Sequence, residues 1–328
     1  MFLDIRNLQV TFQTETGAVR AVNDLSLSLD RGKTLAIVGE SGSGKTAAAL
    51  SIMGLHGSSA RIGGSIKLDD QELVGADDET FRRLRGDKVA MIFQDPLTAM
   101  HPHHRIGDQI AEAYQAHYSA KKQDVRRLIL DMLDRVGMTD PKRVYASYPF
   151  ELSGGMRQRA MIAMSLVCNP DLLIADEPTT ALDVTIQAQI IDLLADLQKE
   201  FNSAVILVTH DLGVVAEFAD DVVVMYCGRA VESGQAEQIF DHPGHPYTQG
   251  LLASVPRLDQ ERGMLVAIPG TPPNAGLTIE GCPFAPRCSR TQDVADDLCR
   301  SVLPPLVGIE DAHTAACHLA ANDAEGRR

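Results

Sequence analysis

The chain has 328 residues, 45% apolar and 23% charged, an ordinary composition for a soluble globular protein with room for one large domain plus a smaller one. A net charge of −14 speaks against a nucleic-acid partner, because phosphate neutralisation supplies most of that affinity and needs a basic face. No apolar run is long enough to span a bilayer and residues 1–10 lack the apolar stretch of a signal peptide, so the chain is expected in the cytoplasm, attached to any membrane only through a partner.

Residues 1–34 read as β structure: Leu8, Val10 and Phe12, then Val22, Leu25, Leu27 and Leu29, alternate with polar residues, with a turn near residues 14–17. A short apolar strand over 34–38 runs into a glycine-rich loop and a helix over 47–53, followed by shorter strands around Gly63 and Gly64. Apolar residues at three- and four-residue spacing predict helices over 106–118, 121–136 and 154–168. Two strongly apolar strands, 172–175 and 204–208, flank one helix over 184–201, and this alternation argues for a parallel sheet with helices on its faces. Residues 222–225 and 230–232, around Cys227 and Gly228, read as a hairpin. After about residue 240 prolines crowd in (Pro243, Pro246, Pro256, Pro269, Pro272, Pro273, Pro283 and Pro286), which predicts a loop-rich appendage outside the sheet and a frayed end after residue 320.

Two stretches carry phosphate chemistry. Gly39, Glu40, Ser41, Gly42, Ser43, Gly44, Lys45 and Thr46 match the pattern G-x-x-x-x-G-K-[ST]. Glycines let the backbone close around phosphate oxygens, the following helix offers its positive end, Lys45 reaches the β- and γ-phosphates and Thr46 ligates Mg²⁺. Residues 172–175 lead into Asp176 and Glu177, placing two carboxylates at the C-terminal edge of a sheet. Asp176 suits Mg²⁺ through water, and Glu177 is placed to act as general base on the attacking water. Taken alone, an acidic pair after a strand is more often a solvated strand end; with the glycine loop upstream that reading becomes the poorer one.

Leu152, Ser153, Gly154, Gly155, Met156, Arg157 and Gln158 resemble the signature motif of ABC ATPases. Other family elements fall in order: Gln94 resembles the Q-loop glutamine, residues 181–183 with Asp183 the D-loop, and His210 the switch histidine. The resemblance covers residues 1 to about 240 and implies an α/β P-loop ABC ATPase domain: a parallel core sheet, an N-terminal antiparallel β subdomain and a helical signature subdomain at about 96–170. It implies catalytic roles for Glu177, His210 and Gln94, with Gln94 also at Mg²⁺. It further implies a nucleotide held by residues 39–46 of one subunit and by Ser153, Gly154, Gly155 and Asp183 of another, so that ATP joins two subunits and hydrolysis releases them. Adenine usually stacks on an aromatic ahead of the glycine loop; Phe12 is the candidate, with Val19 the alternative.

Residues 93–102, 245–252 and 281–288 are similar to the ATPases of dipeptide and oligopeptide importers, a subfamily that also serves nickel, glutathione and other solutes. Its members work with a second ATPase subunit (a copy or a paralogue), two transmembrane permease subunits and, indirectly, an extracytoplasmic solute-binding protein. This places the chain at the cytoplasmic face of the membrane. The permease should dock along residues 94–105, where Leu97 and Met100 are the candidate contacts. A soluble ABC ATPase acting on DNA or ribosomes is the alternative of another class; one cassette and no heptad run speak against it. In the C-terminal extension, 241–328, Cys282, Cys288, Cys299 and Cys317 are separated by 5, 10 and 17 residues, which does not fit paired C-x-x-C knuckles. The four thiolates suit a [4Fe–4S] cluster, as in some relatives with this tail, or Zn²⁺; four reduced thiols that merely pack is the third reading. Cys168 and Cys227 are taken as structural.

Overall fold

The computed structural model describes residues 1–15, 17–180, 182–254, 267–273 and 279–321. They form two compact units, one of Met1–Leu29, Thr34–Gly75 and Val208–Arg328, the other of Asp30–Lys33 and Ala76–Leu207.

The first unit opens with β1 (Leu3–Thr14), β2 (Gly17–Leu29), β3 (Thr34–Val38), α1 (Lys45–Met53), β4 (Ala60–Leu68) and β5 (Gln71–Glu72). β1 pairs antiparallel with β2, Leu3 opposite Leu29 and Val10 opposite Val22, and with β4 on its other edge, giving a sheet of order β2-β1-β4-β5. Of the residues expected to alternate inward, Leu8, Val10, Val22, Leu25, Leu27 and Leu29 are buried and Phe12 is half-buried; Leu3 and Ile5 are buried as well. The inward set shifts between Ile5 and Leu8 because register irregularities fall there, at Asn7 with its positive φ of 49°.

The second unit runs α2 (Asp78–Leu84), β6 (Val89–Ile92), α3 (Pro96–Ala99), α4 (Ile106–Gln115), α5 (Lys122–Arg135), α6 (Pro141–Ala146), α7 (Gly154–Leu166), β7 (Leu172–Asp176), α8 (Val184–Phe201) and β8 (Ala204–Thr209), whose last residues already belong to the first unit. β6 and β7 are parallel, Val89 opposite Leu172. β7 and β8 are buried along their whole length, as strands covered on both faces must be, which is why they read as unbroken apolar runs. Aspartates or serine start several helices: Asp77, Asp95, Asp140, Ser153 and Asp183 each accept a backbone N–H of the first turn.

Back in the first unit follow α9 (Leu212–Phe218), β9 (Asp221–Tyr226), β10 (Arg229–Gln235), α10 (Ala236–Asp241), α11 (Pro246–Ala253), α12 (Leu298–Ser301), β11 (Val307–Glu310) and β12 (His313–Ala315). β9 and β10 form the expected hairpin, and β9 lies parallel to β3 with Val38 opposite Val224. The segment after residue 240 departs from the expectation of an appendage outside the sheet. β12 pairs with β10 and β11 with β12, extending the strand order to β11-β12-β10-β9-β3. Tyr247, Leu252, Phe284 and Ala285 are buried in one cluster with Val222, Val224 and Tyr226. Proline density hid this, since it marks loops and says nothing of what their side chains cover. Among the described residues no helix is long and apolar enough to cross a membrane.

Candidate functional site

In the first unit, Gly39 to Gly44 wrap between the end of β3 and the start of α1. Gly39 (φ 152°) and Gly44 (φ 102°) adopt backbone that L side chains rarely take; a Cβ on either would meet a carbonyl oxygen, of Met225 at 2.2 Å or of Ala21 at 2.3 Å. The loop is braced by the β9–β10 turn, Gly228 N–H donating to Ser43 O at 2.9 Å. Lys45, buried, donates its ammonium to Gly39 O at 2.8 Å and Glu40 O at 3.2 Å, so the cation lies folded back over the loop. Ser43 Oγ is buried with no hydrogen-bond partner among the described residues, an unsatisfied polar atom inside the glycine loop. Thr46 follows in the first turn of α1. His210, exposed, closes β8 just ahead of Asp211, which caps α9 through Gly213 N–H at 2.9 Å.

The second unit gathers the other set. Asp176 is buried at the end of β7, and Glu177 follows it with a left-handed backbone, φ 47°. Such a conformation in a non-glycine residue is held only by its surroundings. Here Gln94 Nε2 donates to Glu177 Oε2 at 2.9 Å and Thr180 Oγ1 donates to the same oxygen at 2.8 Å. Gln94 and Glu177 are thus brought together across 83 residues. Thr180 escaped the sequence reading because a hydroxyl three residues past a carboxylate carries no motif of its own.

Ser153 caps α7, its Oγ accepting Met156 N–H at 3.4 Å; Ser153 and Gly154 are exposed at that helix N-terminus. Gly155 packs so that a Cβ would come within 3.0 Å of Ile186. Asp183 is the N-cap of α8, accepting Ile186 N–H at 3.0 Å, while Ala181 of the same short motif lies outside the described residues. Phe12 is half-buried in β1, directly opposite Val19, and its ring meets His56 edge-on at 5.4 Å, so the two adenine candidates are cross-strand neighbours. Of the two docking candidates, Leu97 is 53% exposed on α3, but Met100 is 5% exposed and belongs to the core. Met100 is therefore withdrawn as a contact. Phe93 is an exposed aromatic of the same unit, as is Phe150, whose ring stacks on Tyr148 at 5.5 Å.

The four C-terminal cysteines are free thiols that line one cavity with Phe284, Val294 and Pro304. Burial pushes the Cys282 thiol up to about 12, with Cys299 and Cys317 adding to the shift. Burial first, and neighbouring thiols second, raise Cys299; burial also raises Cys317. The sulfurs therefore feel one another. Among the described residues no group of three or more His, Cys, Asp or Glu side chains is placed to hold a single metal ion. Cys168 and Cys227, both raised by burial to about 11, stand apart from that cavity.

The sequence matches the ABC transporter family over residues 22–180 and the oligopeptide/dipeptide transporter C-terminal region over residues 231–294. It is 49% identical over 319 residues to the oligopeptide transport ATP-binding protein OppD of Haemophilus influenzae, covering 97% of each chain. It is 48% identical over 325 residues to the dipeptide transport ATP-binding protein DppD of Bacillus subtilis, covering 98% of this chain and 96% of the relative. Among solved structures, the dimeric post-hydrolysis state of the ATP-binding cassette MJ0796 bound to ADP and Pi aligns with a TM-score of 0.65 at 26% identity, covering 71% of this chain and 98% of that one. A glycine loop braced for an anion, a strand-end carboxylate held by a distant glutamine, and near full-length likeness at this identity lead to one assignment: the chain belongs to the ABC transporter family, as an ATPase coupled to transport of the oligopeptide/dipeptide type.

Proposed function

We propose that this chain hydrolyses ATP to energise an importer of dipeptides or oligopeptides. The observation that supports the reading is the hydrogen-bonded set of Gln94, Thr180 and Glu177 at the end of β7, which orients the carboxylate proposed as base. The glycine loop binds the phosphates: backbone N–H groups and the N-terminus of α1 supply positive potential, and Lys45 swings from the Gly39 and Glu40 carbonyls to the β- and γ-phosphates. The resemblance assigns Thr46, Asp176 and Gln94 to Mg²⁺, and an ion so held would neutralise charge on the phosphates. Glu177 takes the proton of the attacking water, His210 steadies the γ-phosphate, and the exposed Ser153, Gly154 and Asp183, with half-buried Gly155, complete the site of a second ATPase subunit, a copy or a paralogue. The MJ0796 cassette, a dimer in its solved form, supports that arrangement. Two permease subunits dock beside Leu97, placing the chain at the cytoplasmic face of the membrane, and a solute-binding protein delivers the cargo. The test is peptide uptake by vesicles carrying the reconstituted complex: uptake that needs ATP and stops with Glu177→Gln supports the reading, and a complex that turns over ATP without moving any peptide sinks it.

We further propose that Cys282, Cys288, Cys299 and Cys317, which line one cavity, hold a [4Fe–4S] cluster, with Zn²⁺ the alternative; four thiolates match the cluster's four irons. A bound cluster would supply the positive charge that lets these buried thiols ionise, and its role is structural. Anaerobically purified protein should absorb broadly near ~400 nm and hold about four irons per chain. Any one of the four changed to serine should bleach it, while Cys168→Ser and Cys227→Ser should not. Stoichiometric zinc without iron would convert the site to a zinc centre, and no metal would leave packed thiols.

A further inference from the structure

Glu40, the second residue of the glycine loop, is gripped by the C-terminal segment. Its backbone N–H donates to Tyr247 Oη at 2.8 Å. Its carboxylate receives a fork from Arg287, Nη1 to Oε2 at 2.6 Å and Nη2 to Oε1 at 3.0 Å. Arg287 also donates Nε to Pro269 O at 2.8 Å and Nη1 to Tyr226 Oη at 3.2 Å. Its side chain is 4% exposed, against 28% for Glu40, and it lies over the rings of Tyr226 and Phe284. An arginine guanidinium keeps its charge in proteins, so the cation is permanent. This differs from a surface ion pair, which contributes little because solvent screens it and the side chains must be ordered. Here the arginine is already ordered by a carbonyl, a hydroxyl and two rings, and the fork fixes orientation as well as charge.

Glu40 has three polar handles. Its carbonyl takes part of the Lys45 ammonium, while its N–H and side chain belong to Tyr247 and Arg287. Moving Glu40 therefore moves the resting place of the phosphate-binding lysine. An unpaired carboxylate at this position would also repel an incoming triphosphate. We propose that Arg287 and Tyr247 are positioning residues for ATP: they hold the glycine loop in its binding shape and cancel the charge of Glu40, which makes the cysteine-bearing C-terminal segment a working part of the nucleotide site. The inference rests on the reading that residues 39–46 hold the ATP phosphates.

The test uses the full transporter complex and reads KM for ATP, kcat and melting temperature. Arg287→Met should raise KM about tenfold with kcat nearly unchanged, the size expected from losing charge-assisted hydrogen bonds. Arg287→Lys should recover part of it, keeping the charge but not the fork. Tyr247→Phe should raise KM less. In the Glu40→Gln, Arg287→Met double variant KM should return towards wild type, because the repelling carboxylate is gone. A fall in melting temperature with wild-type KM, or strictly additive effects of the two substitutions, would overturn the proposal by leaving Arg287 a purely structural residue. If Arg287→Met does not fold, Arg287→Lys with and without Glu40→Gln carries the same comparison. Lys45→Ala separates the two readings: if it loses ATP while Arg287→Met does not, only the positioning role fails; if it too binds ATP normally, the phosphate-loop reading fails first.

Discussion

At the residue scale the proposed chemistry rests on Glu177 and Lys45. Glu177 pairs a left-handed backbone with two hydrogen bonds to one oxygen, so its other oxygen has a set direction. Glu177→Gln keeps the size and the Gln94 and Thr180 neighbours but removes the base. Turnover should fall about 10²–10⁴-fold, with ATP still bound, as measured by steady-state hydrolysis beside a nucleotide-binding titration. Lys45→Ala should act on the binding itself, since the lost ammonium meets phosphates; ATP affinity unchanged within error would refute it. Lys45, Asp176, Glu177 and Gln94 were legible as candidates in the sequence because each sits in a short motif, and the structure places Gln94 against Glu177. Arg287 and Thr180 were not. Arg287 lies 247 residues from Glu40, and only folding reveals that a carboxylate in one motif and a guanidinium in another face each other.

Single elements show where periodicity informs and where it stops. The longer helices α4, α5, α7 and α8 and the all-buried strands β3, β7 and β8 could be read from apolar spacing, because burial on one face or on both leaves a period or a run. The short helix α3 could not be resolved that way: Leu97 and Met100 are three residues apart, and four residues define no face. The structure separates them, and the expected outcomes separate too. Met100→Ala empties a core position and should cost about 2–5 kcal/mol in a denaturant titration, whereas Leu97→Asp should leave the unfolding midpoint unchanged. If α3 meets the permease, Leu97→Asp should instead lower transport per ATP hydrolysed, and transport at the wild-type ratio would place the docking surface elsewhere. β11 and β12 were missed for a related reason, being four and three residues long. β12 is fastened by chemistry that no pattern announces: fully buried Glu232 of β10 accepts His313 Nε2 at 2.8 Å, Gly244 N–H at 2.6 Å and His245 N–H at 2.9 Å. His313→Leu should strip one partner from a buried carboxylate and cost roughly 1–3 kcal/mol, read as a lower urea midpoint with ATP affinity retained.

For the whole chain, the decisive fact is where the core of the first unit ends. The shift in composition near residue 240 suggested an ATPase domain that stops there and a tail that follows. The packing runs through that point: Tyr247, Leu252, Phe284 and Ala285 fill the same cluster as Ala36, Val38, Val224 and Tyr226. Tyr226, Tyr247 and Phe284 form a mutual ring contact, with centroids 4.6–5.4 Å apart, directly under the strand that leads into the glycine loop. Aromatic side chains of this kind bury the most apolar area per residue, and their loss is correspondingly expensive. A chain cut after Asp241 should therefore not behave as an autonomous ATPase domain. It would expose the apolar face of β9 and lose Tyr247 and Arg287 from Glu40. The expected result is poor solubility, or a melting temperature well below that of the full chain with weak ATP binding. Phe284→Ala is the milder version, with an expected loss of about 3–5 kcal/mol and no substitution anywhere in the phosphate loop. Should the truncated chain instead be soluble, melt like the full protein and bind ATP as tightly, the residues after 241 would be an accessory to the ATPase, and the continuity of this core would have no energetic consequence.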